Sequence, residues 1–324
     1  MGYGIRIHKH GGPEVLRWEE VAPLHPAAGE VLVRHQAIGL NFIDTYFRTG
    51  LYKPPALPFI PGNEGAGIVA EVGKGVTAVK PGDRIAYAGT LGSYAQERLL
   101  PADRVVKVPR GVSAELAASI MLKGMTAHYL LHRVHKVKAG DTVLCHAAAG
   151  AVGQILCQWA NALGATVIGT VGSAEKAKIA KKRGCHHVIN YREKDFAAEV
   201  LRITRGAKVD VVYDGVGKDV YPASLDCIRP LGLWALFGQS SGPVPPVDLS
   251  ILAQKGSLFV TRPILFTYIA ARKDLEKAAR QLFRVVTDGT VNAEVNQRYA
   301  LKDAAQAHRD LEARRTTGAT VLLP

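Results

Sequence analysis

Residues 148–153 read Ala-Ala-Gly-Ala-Val-Gly, a G-x-G-x-x-G pattern with Ala148 in its first place. At such a turn the second glycine, here Gly150, lets the backbone approach a pyrophosphate, and the third, Gly153, lets the following helix lie close to the preceding strand. The N-terminus of that helix adds free N–H groups and a partial positive charge. The rival reading is a tight turn that holds no ligand. Context decides for a dinucleotide, because a β-branched run (141–146) precedes the glycines, a helix-spaced apolar set (151–163) follows, and a second strand-like run (166–170) comes next. A site for NAD places Asp or Glu about 20 residues beyond the glycines, accepting from the ribose 2′-OH. Residues 170–173 are Thr-Val-Gly-Ser, with no acid among them. A hydroxyl at Ser173 beside Gly172, with an ammonium at Lys176, suits a 2′-phosphate instead. NADPH is the expected cofactor. Lys178, Lys181, Lys182 and Arg183 continue the same helix and read as its solvated face.

A parallel sheet has to hold these residues. The stretch 142–174 carries no Asp, Glu, Lys or Arg, so a membrane span is its first alternative. Five glycines together with Gln154, Gln158 and Asn161 interrupt it, and a strand buried on both faces needs no charged residues. Beyond it, helices expected over 173–183, 193–204 and 220–228 alternate with strands at 188–190, 209–214 and 232–237, and 258–261 extends the series. Upstream, short strands broken by Gly and Pro describe a β-rich domain, with one short helix at 41–50 and two more at 113–123 and 126–135. Helices at 273–287 and 303–313 precede a terminal strand, 319–323, whose place is back in the first domain because the parallel sheet is complete before it. The expected division is 1–123, 124–262 and 263–324, the last returning to the first domain.

The chain has 324 residues, 48% of them apolar, enough for two domain cores. Its 41 Lys and Arg against 28 Asp and Glu give a net charge of +13, which makes nucleic acid a partner to weigh. The basic residues are spread along the chain without an arginine-rich arm or an aromatic RNA-binding motif, so RNA binding is a secondary expectation. Cys145, Cys157, Cys185 and Cys227 are isolated, with no C-x-x-C, and suggest neither a disulfide framework nor a zinc lobe. The start, MGYGIRIHKHGG, lacks the apolar core of a signal peptide, and a cytoplasmic setting is expected. His8, His10, His128, His132, His135, His186 and His187 lack carboxylate or thiolate partners at ligand spacing and read as surface or capping residues.

The segments GLNFIDTYFRTGLY (39–52), AGIVAEVG (66–73), LKGMTAHYLL (122–131), HAAAGAVG (146–153), VVYDGVG (211–217) and FGQSSGPV (237–244) run through nearly the whole chain in one order. With them the sequence resembles the zinc-independent NADPH:quinone oxidoreductase (zeta-crystallin-like) group of medium-chain dehydrogenases/reductases. That resemblance implies an α/β fold in which a GroES-like β-rich catalytic domain accompanies a Rossmann doubly wound parallel sheet. It further implies a homodimer through the Rossmann domain, with NADPH and a quinone in the cleft between domains. Relatives often carry Ser where this chain has Gly215. Zinc-dependent members have His where Asn63 stands, a Cys near residue 40 and a four-cysteine lobe around 85–105. None of these is present here, so no metal is expected.

The resemblance also assigns residues. Tyr129 falls beside the nicotinamide ribose, and Gly150, Ala151, Val152 and Gly153 at the pyrophosphate. Ser173, Lys176 and Tyr191 surround the 2′-phosphate. Gly238, Gln239, Ser240 and Ser241 with Thr261, Arg262 and Pro263 line the nicotinamide side, and Arg314 closes from the tail. Asn41, Tyr46 and Tyr52 face the reacting atoms. A quinone's reduced oxygens are weakly basic, so hydrogen-bond donors suffice and no dedicated general acid is needed. Capping by Asn41 and packing by the two tyrosines are the rival readings. NADPH-dependent 2-enoyl thioester or alkenal reductases of the same superfamily share the pattern around Tyr52, where that tyrosine would protonate the α-carbon. A structural, crystallin-like NADPH-binding role and an RNA-binding role are the readings outside catalysis.

Overall fold

The structure is a computed structural model and describes residues 2–324. The chain divides into two compact units: one takes the described residues up to Met125 together with Ile269–Phe283 and Ala293–Pro324, and the other takes Thr126–Tyr268 and Arg284–Asn292. Set against the expected division, the first boundary falls two residues later. The end of the long helix Arg272–Thr287 and the residues after it, Arg284–Asn292, also count with the second unit.

The second unit is built on six parallel strands in the order His187–Asn190, Thr166–Val171, Thr142–Cys145, Val209–Asp214, Ile228–Leu236 and Phe259–Thr261. Chain order reverses beside Thr142–Cys145, so its carboxyl end is a topological switch point, where open α/β sheets bind ligands. The uncharged stretch is thus strand, turn, helix (Ala151–Ala162) and strand. Among the described residues no helix is long and apolar enough to cross a membrane.

The first unit holds a seven-stranded sheet and the separate hairpin Gly2–Arg6/Arg17–Val21. Ala319–Leu323 lies antiparallel on Glu30–Leu40, so the tail does return to the first sheet. Outside it runs Val295–Ala300, a strand that sequence reading missed. Its residues, VNQRYA, are mostly polar, and only packing at a sheet edge makes them extended.

Two helix expectations are corrected. The pair at 113–123 and 126–135 is one helix, Ala114–Tyr129, continued by a π turn at Leu130–Val134. Gly124, which falls between the two expected ranges, is a contact point inside the helix, since a Cβ there would lie 2.3 Å from the Leu282 side chain. The helix at 220–228 shortens to Ala223–Asp226, because Pro222 delays its start and the next strand opens at Ile228.

Side chains that look isolated in the chain also meet. The thiols of Cys145 and Cys185 hydrogen-bond Cys157 and, with burial, push its thiol well above the ordinary cysteine range. His128 is buried at 5% exposure, with its ring and that of His132 against Trp159, so neither a surface nor a capping role describes it. His8 and His135 do have carboxylate partners, Glu19 at 2.9 Å and Asp141 at 3.0 Å.

Candidate active site

In the second unit, the turn between Cys145 and Ala151 carries the dinucleotide candidates. Ala147 takes φ 54°, and Gly150 caps the helix with its N–H on the Ala147 carbonyl at 2.8 Å. A Cβ on Gly153 would lie 2.4 Å from the Ala147 carbonyl oxygen and 2.8 Å from the Ala148 Cα, so only glycine permits this strand-to-helix approach. Gly150 differs. A Cβ there would meet Ala147 alone, at 3.1 Å, leaving the space before the helix N-terminus open. Ala151, Val152 and Gly153 form the first turn, whose N–H groups have no acceptor within the helix. A pyrophosphate suits that cradle.

At the end of the second strand, Ser173 caps helix Ala174–Lys182 by accepting from the Lys176 N–H at 3.3 Å. Gly172 lies against the Tyr191 phenol, so that a Cβ there would lie 2.5 Å from its oxygen. The expected 2′-phosphate residues are therefore neighbours. Sequence reasoning missed Glu175, whose carboxyl is held below its usual range by its own N–H and by the Ser173 hydroxyl. Its signal was plain, an acid two residues past the stretch searched.

The remaining dinucleotide candidates have local ties. Tyr129 is 2% exposed and stacks on Tyr268, ring centroids 4.5 Å apart and 7° from coplanar. The loop of Gly238, Gln239, Ser240 and Ser241 pairs with residues 214–216 through the N–H groups of Gly238, Ser240 and Ser241. The Ser241 hydroxyl donates to the Val216 carbonyl at 2.8 Å and accepts from the Asp219 N–H, so it is spent on the loop. Gly215 meets the Phe237 ring where a Cβ would be, at 3.0 Å, and a serine side chain would crowd that ring. Thr261 ends the outermost strand, with Arg262 and Pro263 following. Arg314, at φ 60° past helix Ala304–Glu312, belongs to the first unit.

The first unit holds the other group. Helix Phe42–Thr49 opens on a reciprocal cap in which the Asp44 carboxylate accepts the Asn41 N–H at 2.9 Å, and closes on Gly50 at φ 84°. Four residues apart on one face, Asp44 and Arg48 turn inward. Arg48, 1% exposed, donates to the Gly11 carbonyl, to Glu312 and to His308 Nδ1. A guanidinium can only donate, so His308 Nδ1 accepts and its Nε2–H donates to the Tyr94 oxygen, which in turn donates to Asp44. Burial pushes the His308 imidazole down to about 3, in keeping with that neutral tautomer.

On another face Phe42 and Tyr46 pack together, and Tyr52 follows. Its N–H donates to the Tyr46 carbonyl at 3.0 Å and its ring lies 5.2 Å from that of Tyr46, nearly edge-on. Tyr46 and Tyr52 are thus brought together as a pair.

Asn41 sits differently from expectation. Only 6% exposed, it caps the helix, and its Nδ2 donates to Glu64 at 2.7 Å, so the expected donor is committed to a protein carboxylate. Glu64, fully buried, also takes the Leu122 N–H at 2.6 Å and the Lys123 ammonium. Asp44, Glu64 and Lys123 were not among the expected residues, although a lysine in the apolar run 116–131 was a signal.

Zinc finds no fit here. Asn41 and Asn63 turn amide N–H groups toward Glu64 and Asp44, and an ammonium already occupies Glu64. Amides and ammonium are not the thiolate, imidazole and carboxylate set zinc takes. Among the described residues no group of three His, Cys, Asp or Glu is placed to hold a metal.

Burial pushes the Asp44 carboxyl up from 3.8 to about 6, against the hydrogen bonds of Asn63, Asn41 and Tyr94. Between those values the folded chain holds a proton that the unfolded chain has lost. Asp44 therefore favours folding fully below about pH 4, and that contribution disappears as pH rises through about 6, some 3 kcal/mol in all. Urea unfolding of the parent and Asp44→Asn should show the parent losing about that much relative to the variant between pH 4 and 7. A constant difference would refute it.

Residues 27–110 match the alcohol dehydrogenase GroES-like domain family, and 151–284 match the zinc-binding dehydrogenase family. A quinone oxidoreductase of Pseudomonas aeruginosa is 51% identical over 325 residues, covering all of both chains. The crystal structure of Escherichia coli quinone oxidoreductase complexed with NADPH superposes with a TM-score of 0.98 at 50% identity, over 99% of this chain and 100% of that one. The chain belongs to the quinone oxidoreductase family. Likeness within this quinone oxidoreductase family extends to a 2-haloacrylate reductase of a Burkholderia species, 48% identical over 98% of each chain. The zinc named by one family description is the feature that this quinone oxidoreductase site does not accommodate.

Proposed function

We propose that this chain is an NADPH:quinone oxidoreductase. The observation that carries the reading is its likeness, over the whole of both chains, to a quinone oxidoreductase that holds NADPH. Bound NADPH supplies the hydride that, with one proton, converts a quinone to its hydroquinone. The chain's own task is to grip and orient. Gly150 to Gly153 hold the pyrophosphate, and Ser173, Lys176 and Tyr191 hold the 2′-phosphate. Tyr129, residues 238–241, Thr261, Arg262, Pro263 and Arg314 shape the nicotinamide end. Tyr46 and Tyr52 meet the acceptor. Their aromatic pair suits a flat ring, and their hydroxyls can donate to its oxygens.

The proposed assembly is a homodimer through the Rossmann unit. In its support, the outermost strand Phe259–Thr261 leaves Phe259 and Val260 exposed at 60% and 43%, an edge that a second copy can cover. A cytoplasmic location goes with this reading. RNA binding stays secondary; the charge of +13 supports only contacts that weaken steeply with salt.

Steady-state oxidation of NADPH by 9,10-phenanthrenequinone or 1,2-naphthoquinone tests the function, and absence of turnover with both would sink it. Lys176→Ala should weaken NADPH by about 1–2 kcal/mol, one charge-assisted contact, and leave NADH affinity unchanged. Equal affinity of the parent for NADPH and NADH would refute the role of Lys176.

The 2-haloacrylate reductase relative favours a second reading, reduction of an activated alkene with Tyr52 as proton donor to the α-carbon. Assays with a 2-haloacrylate and a crotonyl thioester separate the two. Faster turnover of either than of the quinones would make the alkene the substrate.

A further inference from the structure

The segment VVYDGVG, 211–217, places its acid at the carboxyl end of strand Val209–Asp214, beside the switch point of the parallel sheet. Open α/β sheets hold their ligands just outside that edge. Asp214 is fully buried, and three uncharged N–H groups take its carboxylate. Oδ1 accepts from the Val216 N–H at 2.7 Å and the Gly217 N–H at 2.9 Å, and Oδ2 from the Trp234 indole at 3.1 Å. The Asp214 backbone carbonyl accepts from Phe237 and Gly238.

These bonds close two loops on each other. With the Val216 and Gly217 N–H groups drawn to Asp214, the Gly215 carbonyl takes the Ser240 N–H at 3.1 Å and the Val216 carbonyl takes the Ser241 N–H at 2.9 Å. A Cβ on Gly238 would lie 2.7 Å from the Gly215 carbonyl oxygen, and one on Gly217 would lie 2.8 Å from that of Gly242, so the loops touch backbone to backbone. An apolar residue at 214 would leave three N–H groups without this acceptor, and a neutral amide would turn a donor on one of them. We propose that Asp214 is a positioning residue for the cofactor. Its carboxylate sets loop 215–217, and through it loop 238–242, in the form that receives the nicotinamide end. The inference rests on the reading of residues 238–241 as the nicotinamide side. It concerns one end of the dinucleotide, since Ser173 and Lys176 follow strand Thr166–Val171, two places away in the sheet.

Binding and turnover of full-length variants test this. Adenosine 2′,5′-bisphosphate carries the 2′-phosphate but lacks the nicotinamide. Asp214→Ala should lower kcat/KM for NADPH about 10-fold or more, with 1,2-naphthoquinone as acceptor, while its Kd for adenosine 2′,5′-bisphosphate stays within about 2-fold of the parent. Equal weakening of both would make Asp214 a structural residue of the whole unit and overturn the inference. Asp214→Asn can still accept from Val216 and Gly217 but sets an amide N–H against the indole N–H. It should lose part of that factor, and Asp214→Asn/Trp234→Phe, which removes the conflict, should regain it. Should Asp214→Ala fail to fold, this pair carries the test, and no gain on adding Trp234→Phe overturns the inference. Ser240→Trp, which alters the loop but none of the Asp214 bonds, separates the inference from the reading beneath it. If Ser240→Trp slows turnover while Asp214→Ala does not, the inference falls and the reading stands. Parental kcat/KM in both variants overturns both.

Discussion

Gly153→Val should abolish detectable NADPH binding and lower stability together. A Cβ at 153 would lie within 2.4 Å of the Ala147 carbonyl and 2.8 Å of the Ala148 backbone, atoms of the turn itself that cannot rotate aside as a side chain would. The helix must move off the strand, and with it go the N–H groups and the dipole end proposed to hold a pyrophosphate. We expect at least 100-fold weaker NADPH and about 1–3 kcal/mol lost to overpacking. Gly150→Val provides the contrast. Its φ of −76° suits any residue and its Cβ would meet only Ala147, so this variant should unfold as the parent does yet still block the ligand's approach. Fluorescence titration with NADPH and urea unfolding read the two effects separately. Parental NADPH affinity in Gly153→Val would show that the turn is not the phosphate site.

Lys123→Met should cost about 3–5 kcal/mol of folding stability, because it strands the fully buried Glu64 carboxylate without its countercharge. Removing both charges as Glu64→Leu/Lys123→Met should return the chain to within about 1 kcal/mol of the parent, since desolvation of two ions is then avoided. That non-additivity distinguishes a buried pair from two independent core positions. If Lys123→Met unfolds at the parental urea midpoint, the ammonium is not engaged as described.

Legibility in the sequence followed the range of the interactions. The strand-to-helix turn could be read because its requirements lie within a few residues: a glycine where the helix crosses the strand and a hydroxyl at the next helix start. The cap at Asn41 and the left-handed stop at Gly50 were legible for the same reason. The expected gap between 123 and 126 closes because the helix runs through Gly124, against which Leu282 packs from a distant helix. Asn41 reads as a donor to the substrate because its type allows it; only the fold shows Glu64 taking its nitrogen.

The sequence by itself determined the class of protein: the parallel series of strands, the glycine-lined bend at the head of a helix and the family. Tertiary structure decided what the polar residues of the first unit do. Glu64 and Lys123 are 59 residues apart in the chain, and Arg48 and His308 are 260 apart. No periodicity links them. Glu64 and Lys123 meet because a strand packs on a helix, and Arg48 and His308 because two helices do. A buried charge must take whichever partner that packing brings, since water is no longer there to serve.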